Sequence, residues 1–271
     1  MALGNATTAC GDITSFQINQ TTGRLSLVVN AQVTSASGAA LPYFPVPANP
    51  IDFSLVSGYV LTLSGTPAAG DVVFPYTYSL STGQLTINQN TAQKLGIAQA
   101  TAIVNGAGYV YVLDNESTDV GSTYQSQILP YSVNNGALQP QTGGAVADDA
   151  TLANPINLLV ESKGKFLYVA NQGNNTQGTN PNSGLAGYVI DPSTHQLSFI
   201  AGEPFGAGSG PQCLVEDPSD QFIYSADLYD SAVSGRVVDP NSGVLNNLRV
   251  GNGTFALQGP ATWCLVDGRT N

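Results

Sequence analysis

The sequence has few charged residues, few cysteines and no long apolar segment. Charged residues make up 9% of the 271 positions, against about a quarter in an average globular protein, while 42% are hydrophobic, which excludes charge-driven disorder. No apolar run approaches the 18 or so residues of a membrane helix. The first 15 residues show neither the basic nor the apolar segment of a signal peptide. We therefore expect a folded chain with no membrane span.

Charge and cysteine content narrow the classes of partner. Seven Lys and Arg against 18 Asp and Glu give a formal charge of −11, which excludes the basic surface that nucleic-acid binding requires. Three cysteines, none in a CxxC or Cys/His spacing, exclude a disulfide scaffold and a structural zinc site. The abundance of Asn, Thr, Ser, Gly and Tyr is typical of an exported protein. We expect an extracellular or periplasmic location.

Strand patterns dominate the chain. A single short helical turn is predicted at residues 91–97, and elsewhere short Val-, Ile-, Tyr- and Phe-rich runs alternate with turn residues. A hairpin with one special turn position recurs five times, and Gly at that position indicates a positive φ angle. The copies are residues 16–28, 76–88, 130–140, 187–200 and 235–248, with Gly23, Gly83, Gly136, His195 and Gly243 at the turn.

A second repeat of two apolar strands joined by a tight turn lies between these hairpins. Its copies are residues 48–65, 101–115, 153–173 and 210–228. Two strands followed by a hairpin make a four-stranded unit, and such a unit recurring about every 50 residues is typical of a β-propeller blade. The sequence thus predicts one all-β domain, a five-bladed propeller spanning residues 1–271, with blades at about 48–90, 100–141, 153–201 and 210–250 and a fifth made of 261–271 plus 1–28.

The fifth blade is predicted to be shared between the two ends of the chain. Residues 263–266 supply its inner strand, and residues 269–271 begin a second strand that Met1 to Gly4 continue. Closure within one chain removes the free sheet edge. The alternative is strand exchange, in which the N-terminal segment completes the blade of a neighbouring copy and the protein assembles with itself.

The repeat motifs resemble those of a known family. GKFLYVANQGNNT at residues 164–176, GYVIDPSTHQLSFIAGEPF at 187–205 and GSGPQCLVEDPSDQFIYSADL at 208–228 resemble the lactonase-like propellers, which include 6-phosphogluconolactonase-like, carboxymuconate-cyclase-like and YVTN-repeat proteins. The resemblance is strongest over residues 156–248. It implies the propeller fold, with six to eight blades usual in the family, and it implies function weakly because these motifs encode strands and turns.

Catalytic patterns are scarce. The resemblance implies a His, an acid and an Arg near the central channel, but the sole histidine, His195, holds a hairpin turn position and is interpreted as a turn residue. There is no GxSxG elbow. A glycosidase-like pair of acids is the other possibility, and its candidates near inner strands are Asp52, Glu161, Glu216, Asp217 and Asp267. Most of these follow a strand directly and are expected to be solvated turn residues.

A ligand site is predicted at the mouth of the channel. ANPID and ANPIN place Asp52 and Asn157 at equivalent points of two blades, and Gln212 and Trp263 are expected nearby. These side chains either cap the strand entry by local hydrogen bonds or bind a small polar ligand, a carbohydrate or Ca²⁺.

A metal site is a further possibility in an acidic loop. Asp114, Glu116 and Asp119 supply three carboxylates within six residues, and Asp227 with Asp230 occupy the corresponding loop of another blade. Ca²⁺ favours oxygen ligands on flexible loops, although the spacing is not that of an EF-hand. Otherwise these are solvated loop acids.

The blade alignment brings the three cysteines to one sector. Cys213 and Cys264 start two successive inner strands, and Cys10 falls in a loop at the same face. A bridge between Cys10 and Cys264 is the favoured pairing, with Cys213–Cys264 as the alternative.

The function that the sequence favours is an exported propeller that binds a small polar ligand, a carbohydrate or a protein. The alternatives are a lactonase-like hydrolase or cyclase and a subunit of an extracellular assembly formed by strand exchange. No catalytic residue and no cofactor other than Ca²⁺ is predicted.

Overall fold

The computed structural model describes residues 11–35, 37–46, 49–66, 70–87, 92–97, 99–115, 126–174, 182–249 and 253–266. These residues form strands, turns and irregular segments. The chain divides into two compact units, one of residues 1–100 with 133–138 and one of residues 101–132 with 139–271. Across the described ranges, no helix has the length and apolar character needed to cross a membrane.

The first unit contains three strand pairs and one larger antiparallel sheet. Strand β1 pairs with β6, β2 with β3, and β4 with β5, while the larger sheet has the order β10–β9–β8–β7 with β11 added to β9. The strands are β1 (Gly11–Ile13), β2 (Phe16–Ile18), β3 (Leu25–Leu27), β4 (Asn30–Thr34), β5 (Ala40–Leu41), β6 (Phe44–Val46), β7 (Asn49–Val56), β8 (Tyr59–Thr66), β9 (Gly70–Tyr78), β10 (Leu85–Ile87) and β11 (Gln93–Lys94).

Three further sheets have the same four-stranded order. They are β12–β13–β14–β15 with β16 on β14, β17–β18–β19–β20, and β21–β22–β23–β24 with β25 on β23. The strands are β12 (Ala100–Gly106), β13 (Tyr109–Asp114), β14 (Gln127–Asn134), β15 (Ala137–Pro140), β16 (Val146–Ala147), β17 (Pro155–Val160), β18 (Phe166–Asn171), β19 (Gly184–Ile190), β20 (Leu197–Phe199), β21 (Pro211–Glu216), β22 (Phe222–Asp227), β23 (Ala232–Val238), β24 (Leu245–Asn247) and β25 (Thr254–Ala256).

The all-β class with repeated antiparallel sheets is confirmed, and the turn chemistry explains the repeat. All five predicted hairpins are present, and the special turn position has a positive φ in each, from 56° at His195 to 81° at Gly136. A positive φ penalises any residue with a Cβ, which is why Gly occupies four of the five turns.

The apolar cores lie between the faces of neighbouring sheets in the second unit. One cluster joins Tyr111 and Leu113 to Leu167, Val169 and Tyr188. Another joins the β17–β20 sheet to the β21–β24 sheet through residues that include Phe166, Tyr168, Leu214 and Ile223. Strands β13 and β18 are buried on both faces along nearly their whole length and therefore read as nearly continuous apolar runs.

Two local predictions are wrong. Of the predicted helical turn at 91–97, the described residues 92–97 are not helical, because Gln93 and Lys94 form β11 and pair with Val73 and Val72. The side chain of Gln93 also donates to the carbonyl of Gly136 and accepts from the amide of Leu138. Residues 263–266 are not a strand. Their predicted partners, residues 269–271 and 1–4, lie outside the described residues.

Candidate functional site

Three of the four predicted mouth residues, Asp52, Asn157 and Gln212, sit at a β-bulge that recurs in three first strands. The pairing register shifts between Pro50 and Asp52, between Pro155 and Asn157, and between Pro211 and Cys213. Asp52 and Asn157 therefore hold the same position, as predicted, and Gln212 is the bulged residue itself. A bulge adds one unpaired residue and bends the strand, so it marks where each first strand enters its sheet.

Local bonds occupy most of these side chains. Oδ1 of Asp52 accepts a hydrogen bond from the amide of Phe53, and Asp52 lines a 270 Å³ cleft together with Asp12, Thr14 and Thr62. Oδ1 of Asn157 accepts from the amide of Leu214 at 3.0 Å and so ties β17 to β21. The Asn157 contact supports a structural role for that residue.

Gln212 and Trp263 are brought near each other by a disulfide. Cys213 is bonded to Cys264, so the favoured pairing of Cys10 with Cys264 is wrong and the alternative is present. Residue 10 lies outside the described residues. The bulge explains the observed pairing, because it places Cys213 at the position that Asn157 uses to reach the neighbouring strand. Trp263, next to Cys264, is 72% exposed.

The calcium prediction gains no support. Asp114 is fully buried, and its Oδ2 accepts from Nε2 of Gln127 at 2.9 Å. Glu116 and Asp119 lie outside the described residues. Asp227 is also fully buried, and Asp230 accepts from the amide of Ser209. In the part of the chain that the structure describes, no group of three His, Cys, Asp or Glu side chains could hold a metal ion.

The acids after the first strands are not all solvated turn residues. Glu161 and Glu216 are 6% and 3% exposed, because backbone amides satisfy their carboxylates. Glu161 accepts from the amides of Lys163, Lys165 and Phe166, and Glu216 accepts from the amide of Ser162. Asp217 accepts from Ser219, Gln221 and Phe222. Asp267 lies outside the described residues. These contacts make Glu161 and Asp217 turn-forming groups, while Glu216 links the end of β21 to the turn after β17.

His195 occupies the hairpin turn with a φ of 56°. Its ring stacks on Tyr109 with centroids 3.6 Å apart. It belongs to the turn between β19 and β20, as the sequence predicts. The acid beside it is Asp191 of the same turn, and no Arg joins the two among the described contacts.

The sequence did not single out a cluster of three acids in the second unit. Asp148 and Asp149 follow β16 in the connection to β17, and Glu203 lies in the connection from β20 to β21. Asp148 is 4% exposed and accepts from the hydroxyl of Tyr188 at 2.6 Å. Asn171, 1% exposed, lies beside Asp148, and neither polar atom of its amide has a partner in hydrogen-bond geometry.

Burial and like charge set the protonation of this cluster. Burial, followed by the charge and hydrogen bond of Asp149, raises the pKa of Glu203 to about 7. Burial also raises the pKa of Asp148, against the hydrogen bond from Tyr188. Asp149 accepts two hydrogen bonds at Oδ1, from the amide and the hydroxyl of Thr151. Glu203 is therefore the member of the Glu203–Asp149 pair that holds a proton near neutral pH.

The arrangement has the parts of an acid–base pair. Two neighbouring carboxyl groups, of which Glu203 has a pKa near 7, can serve as a proton donor and a proton acceptor. The signal in the sequence was the recurrence of acids in two successive connections of the same type. This signal was weak because Asp and Glu are ordinary residues in loops.

Several solved structures have a fold similar to that of this chain. A putative 6-phosphogluconolactonase from Bacteroides uniformis has a TM-score of 0.63 and 12% identity over 92% of this chain and 79% of that one. A functionally unknown protein from Desulfotomaculum acetoxidans has a TM-score of 0.56 and 16% identity, over 87% of this chain and 62% of that one. At such identities the likeness shows the fold alone.

A third structure, hydrazine synthase of Kuenenia stuttgartiensis, has a TM-score of 0.53 and 13% identity over 74% of this chain and 62% of that one. No curated protein matches the sequence.

The family is shown by a direct sequence match. The model of the family described as "Lactonase, 7-bladed beta-propeller" matches residues 71–256, more than half of the chain. That description gives seven blades where the sequence predicts five, so the count of five is not confirmed. The chain belongs to the lactonase family of β-propellers.

Proposed function

We propose that this chain is a lactone hydrolase that uses Glu203 as the general acid and Asp149 as the general base. The observation that carries the proposal is the Glu203–Asp149 carboxyl pair, with the pKa of Glu203 raised to about 7. Family membership supports a hydrolase more than the binding scaffold that the sequence favoured.

Lactone hydrolysis by this mechanism requires one proton on the Glu203–Asp149 pair. Asp149 takes a proton from water as the water oxygen attacks the lactone carbonyl carbon, and Glu203 gives its proton to the carbonyl oxygen. Collapse of the tetrahedral intermediate returns that proton to Glu203 and breaks the ring C–O bond. The leaving oxygen takes the proton from Asp149. The net change is the addition of one water, which gives the open hydroxy acid and restores the pair.

Charge indicates the class of substrate. Asp148, Asp149 and Glu203 lie together in a chain with a formal charge of −11, so an anionic substituent near the site would be repelled. A neutral lactone of a sugar acid fits this environment better than a phosphorylated lactone.

The test is the hydrolysis of δ-gluconolactone, corrected for its spontaneous opening. Glu203→Gln and Asp149→Asn should each lower kcat by at least about a hundredfold, the lower range of general acid–base effects. Asp220→Asn is the matched control because Asp220 lies in a turn with a φ of 58°, a conformation that Asn adopts readily. Wild-type hydrolysis at the uncatalysed rate, or full activity in Glu203→Gln, would refute the proposal.

The pH profile is a second signature of the pair. Activity requires protonated Glu203, so kcat should fall as pH rises through about 7, the pKa of Glu203. The fall should vanish in Glu203→Gln, whose residual rate depends only on Asp149. A rate in the wild type that keeps rising above pH 8 would contradict the assignment of Glu203 as the acid.

A broader feature also remains a proposal. We propose export to an oxidising compartment, which the Cys213–Cys264 disulfide supports, because disulfides persist outside the reducing cytosol.

A further inference from the structure

A pocket in the second unit lies at the opposite ends of the strands from the Glu203–Asp149 pair. Its volume is 510 Å³, within the range typical of small-molecule sites. The turns between first and second strands and between third and fourth strands build it, with lining residues that include Lys163, Lys165, Phe166, Pro192, His195 and Asn241. Strands alternate in direction, so these turns share one end of the sheets while the connections holding Asp149 and Glu203 share the other.

Two exposed cationic side chains lie at this pocket. The sequence has three lysines, and two of them, Lys163 and Lys165, line this one pocket together with the sole histidine. Both lysine side chains are exposed. The buried carboxylate of Glu161 holds the backbone amides of these two residues. Asp191 lies on the His195 side, so the lysine side is the cationic one.

The interior of the pocket is apolar and its wall is fixed. Phe166, Val189, Ile190 and Pro192 contribute apolar surface. Stacking of the His195 ring on Tyr109 at 3.6 Å holds one side. A cationic rim beside an apolar floor is complementary to a molecule with an anionic group at one end and an apolar body at the other.

We propose that this pocket binds a small organic anion with an aromatic or aliphatic body, whose anionic group contacts Lys163 and Lys165. The site is separate from the Glu203–Asp149 pair and does not depend on the proposed lactone hydrolysis. The net negative charge of the chain repels anions at a distance, so the two lysines are what makes binding of an anion favourable.

Two fluorescent probes of similar shape test the proposal: anionic 1-anilinonaphthalene-8-sulfonate and uncharged N-phenyl-1-naphthylamine. The sulfonate should bind the native protein at one saturable site and weaken about tenfold in the Lys163→Ala/Lys165→Ala double variant, since each exposed charge contact contributes up to about 1 kcal/mol. The uncharged probe should bind both proteins equally.

Lys94→Ala is the matched control because it removes the third lysine of the chain, which lies in β11 of the first unit. It should leave the affinity of both probes unchanged. Absence of saturable sulfonate binding, or equal affinity in the double variant, would overturn the proposal. An equal loss of sulfonate affinity in Lys94→Ala would also overturn the proposal. Unchanged thermal unfolding of the double variant establishes that the effect is local, and unchanged lactone hydrolysis separates it from the proposed active site.

Discussion

The β17–β20 and β21–β24 sheets share strand order, bulge and turn geometry. They differ in how they accommodate the buried polar residue that ends the second strand. Asn171 and Asp227 end their second strands at the same register position. Asp227 accepts from the hydroxyls of Ser225 and Ser234 at 2.8 and 2.6 Å. In the other sheet, the paired positions are Val169 and Ala186, which have no hydroxyl.

The difference shows what a buried carboxylate needs. Asp227 is fully buried, and burial raises its pKa to about 6 although the two serines lower it. The β17–β20 sheet, which has Val169 and Ala186 at those positions, carries the neutral amide of Asn171 instead. The serine pair and the carboxylate are thus one unit, since removing both hydroxyls leaves a buried carboxylate with the backbone amide of Gly208 in place of three donors.

The largest loss of stability is expected for Asn171→Asp, which places a carboxyl group in the sheet that lacks the serine pair. The new carboxyl group would lie between Val169, Ala186 and the neighbouring Asp148, and it would hold a proton at pH 7. Holding a proton three pH units above the ordinary Asp pKa costs about 4 kcal/mol. Urea unfolding should show that loss. Adding Val169→Ser and Ala186→Ser should recover part of it, and a triple variant no more stable than Asn171→Asp would contradict the comparison.

The two sheets also differ at the bulge, where Asn157 in one corresponds to Cys213 in the other. Reducing the Cys213–Cys264 bond, or replacing Cys264 by Ser, should lower the free energy of unfolding by about 3 kcal/mol, the middle of the range for native disulfides. Asn157→Ala removes one hydrogen bond and should cost about 1 kcal/mol. Chemical denaturation with and without reductant measures both, and equal losses at the two positions would show that the disulfide adds nothing to the hydrogen bond it replaces.

Removing the two serine hydroxyls tests the same comparison in the β21–β24 sheet. Ser225→Ala with Ser234→Ala should lower stability at pH 7 by about 2 to 3 kcal/mol, since hydrogen bonds to a charged group contribute about 1.5 kcal/mol each. The same double change should cost less when Asp227 is Asn, which carries no charge. A double-mutant cycle by urea unfolding measures this coupling. Additive losses in the free energy of unfolding would show that Asp227 and the two serines do not act as one unit.

The pH dependence of stability is the smallest effect. The folded pKa of Asp227 is about 6, above its ordinary 3.8, so the folded state binds its proton more tightly. This contribution is complete below pH 3.8 and is lost as pH rises to about 6. The difference in stability between wild type and Asp227→Asn should therefore change by about 2 kcal/mol between pH 4.5 and pH 7. A constant difference would mean that Asp227 titrates normally.

The sequence predicted the elements whose signals are local. The hairpins followed from Gly at one turn position, and the paired apolar strands followed from their length and their punctuation by turn residues. Strands β11, β16 and β25 were missed because each has two or three residues with no pattern of its own. They exist because backbone groups at the start of a third strand find partners there.

The candidate site was harder to predict because it depends on distances between repeats. Asp149 and Glu203 are one repeat apart, and only the packing of neighbouring connections brings their carboxyl groups together. The same limit explains the cysteines, since the favoured pairing required a position for residue 10 that the sequence could not supply. Asp52 and Asn157 were correctly equated because their shared ANPI motif encodes the bulge directly.

The repeated bulge also bears on how this sequence could diversify. One backbone irregularity per first strand frees the following side chain from the alternation of the sheet. That position holds a carboxylate in Asp52, an amide in Asn157 and a disulfide-bonded sulfur in Cys213. Each residue makes a different kind of contact, while the register on either side of the bulge is unchanged. Such a position lets evolution exchange the chemistry of a cross-link between strands without redesigning the strands themselves.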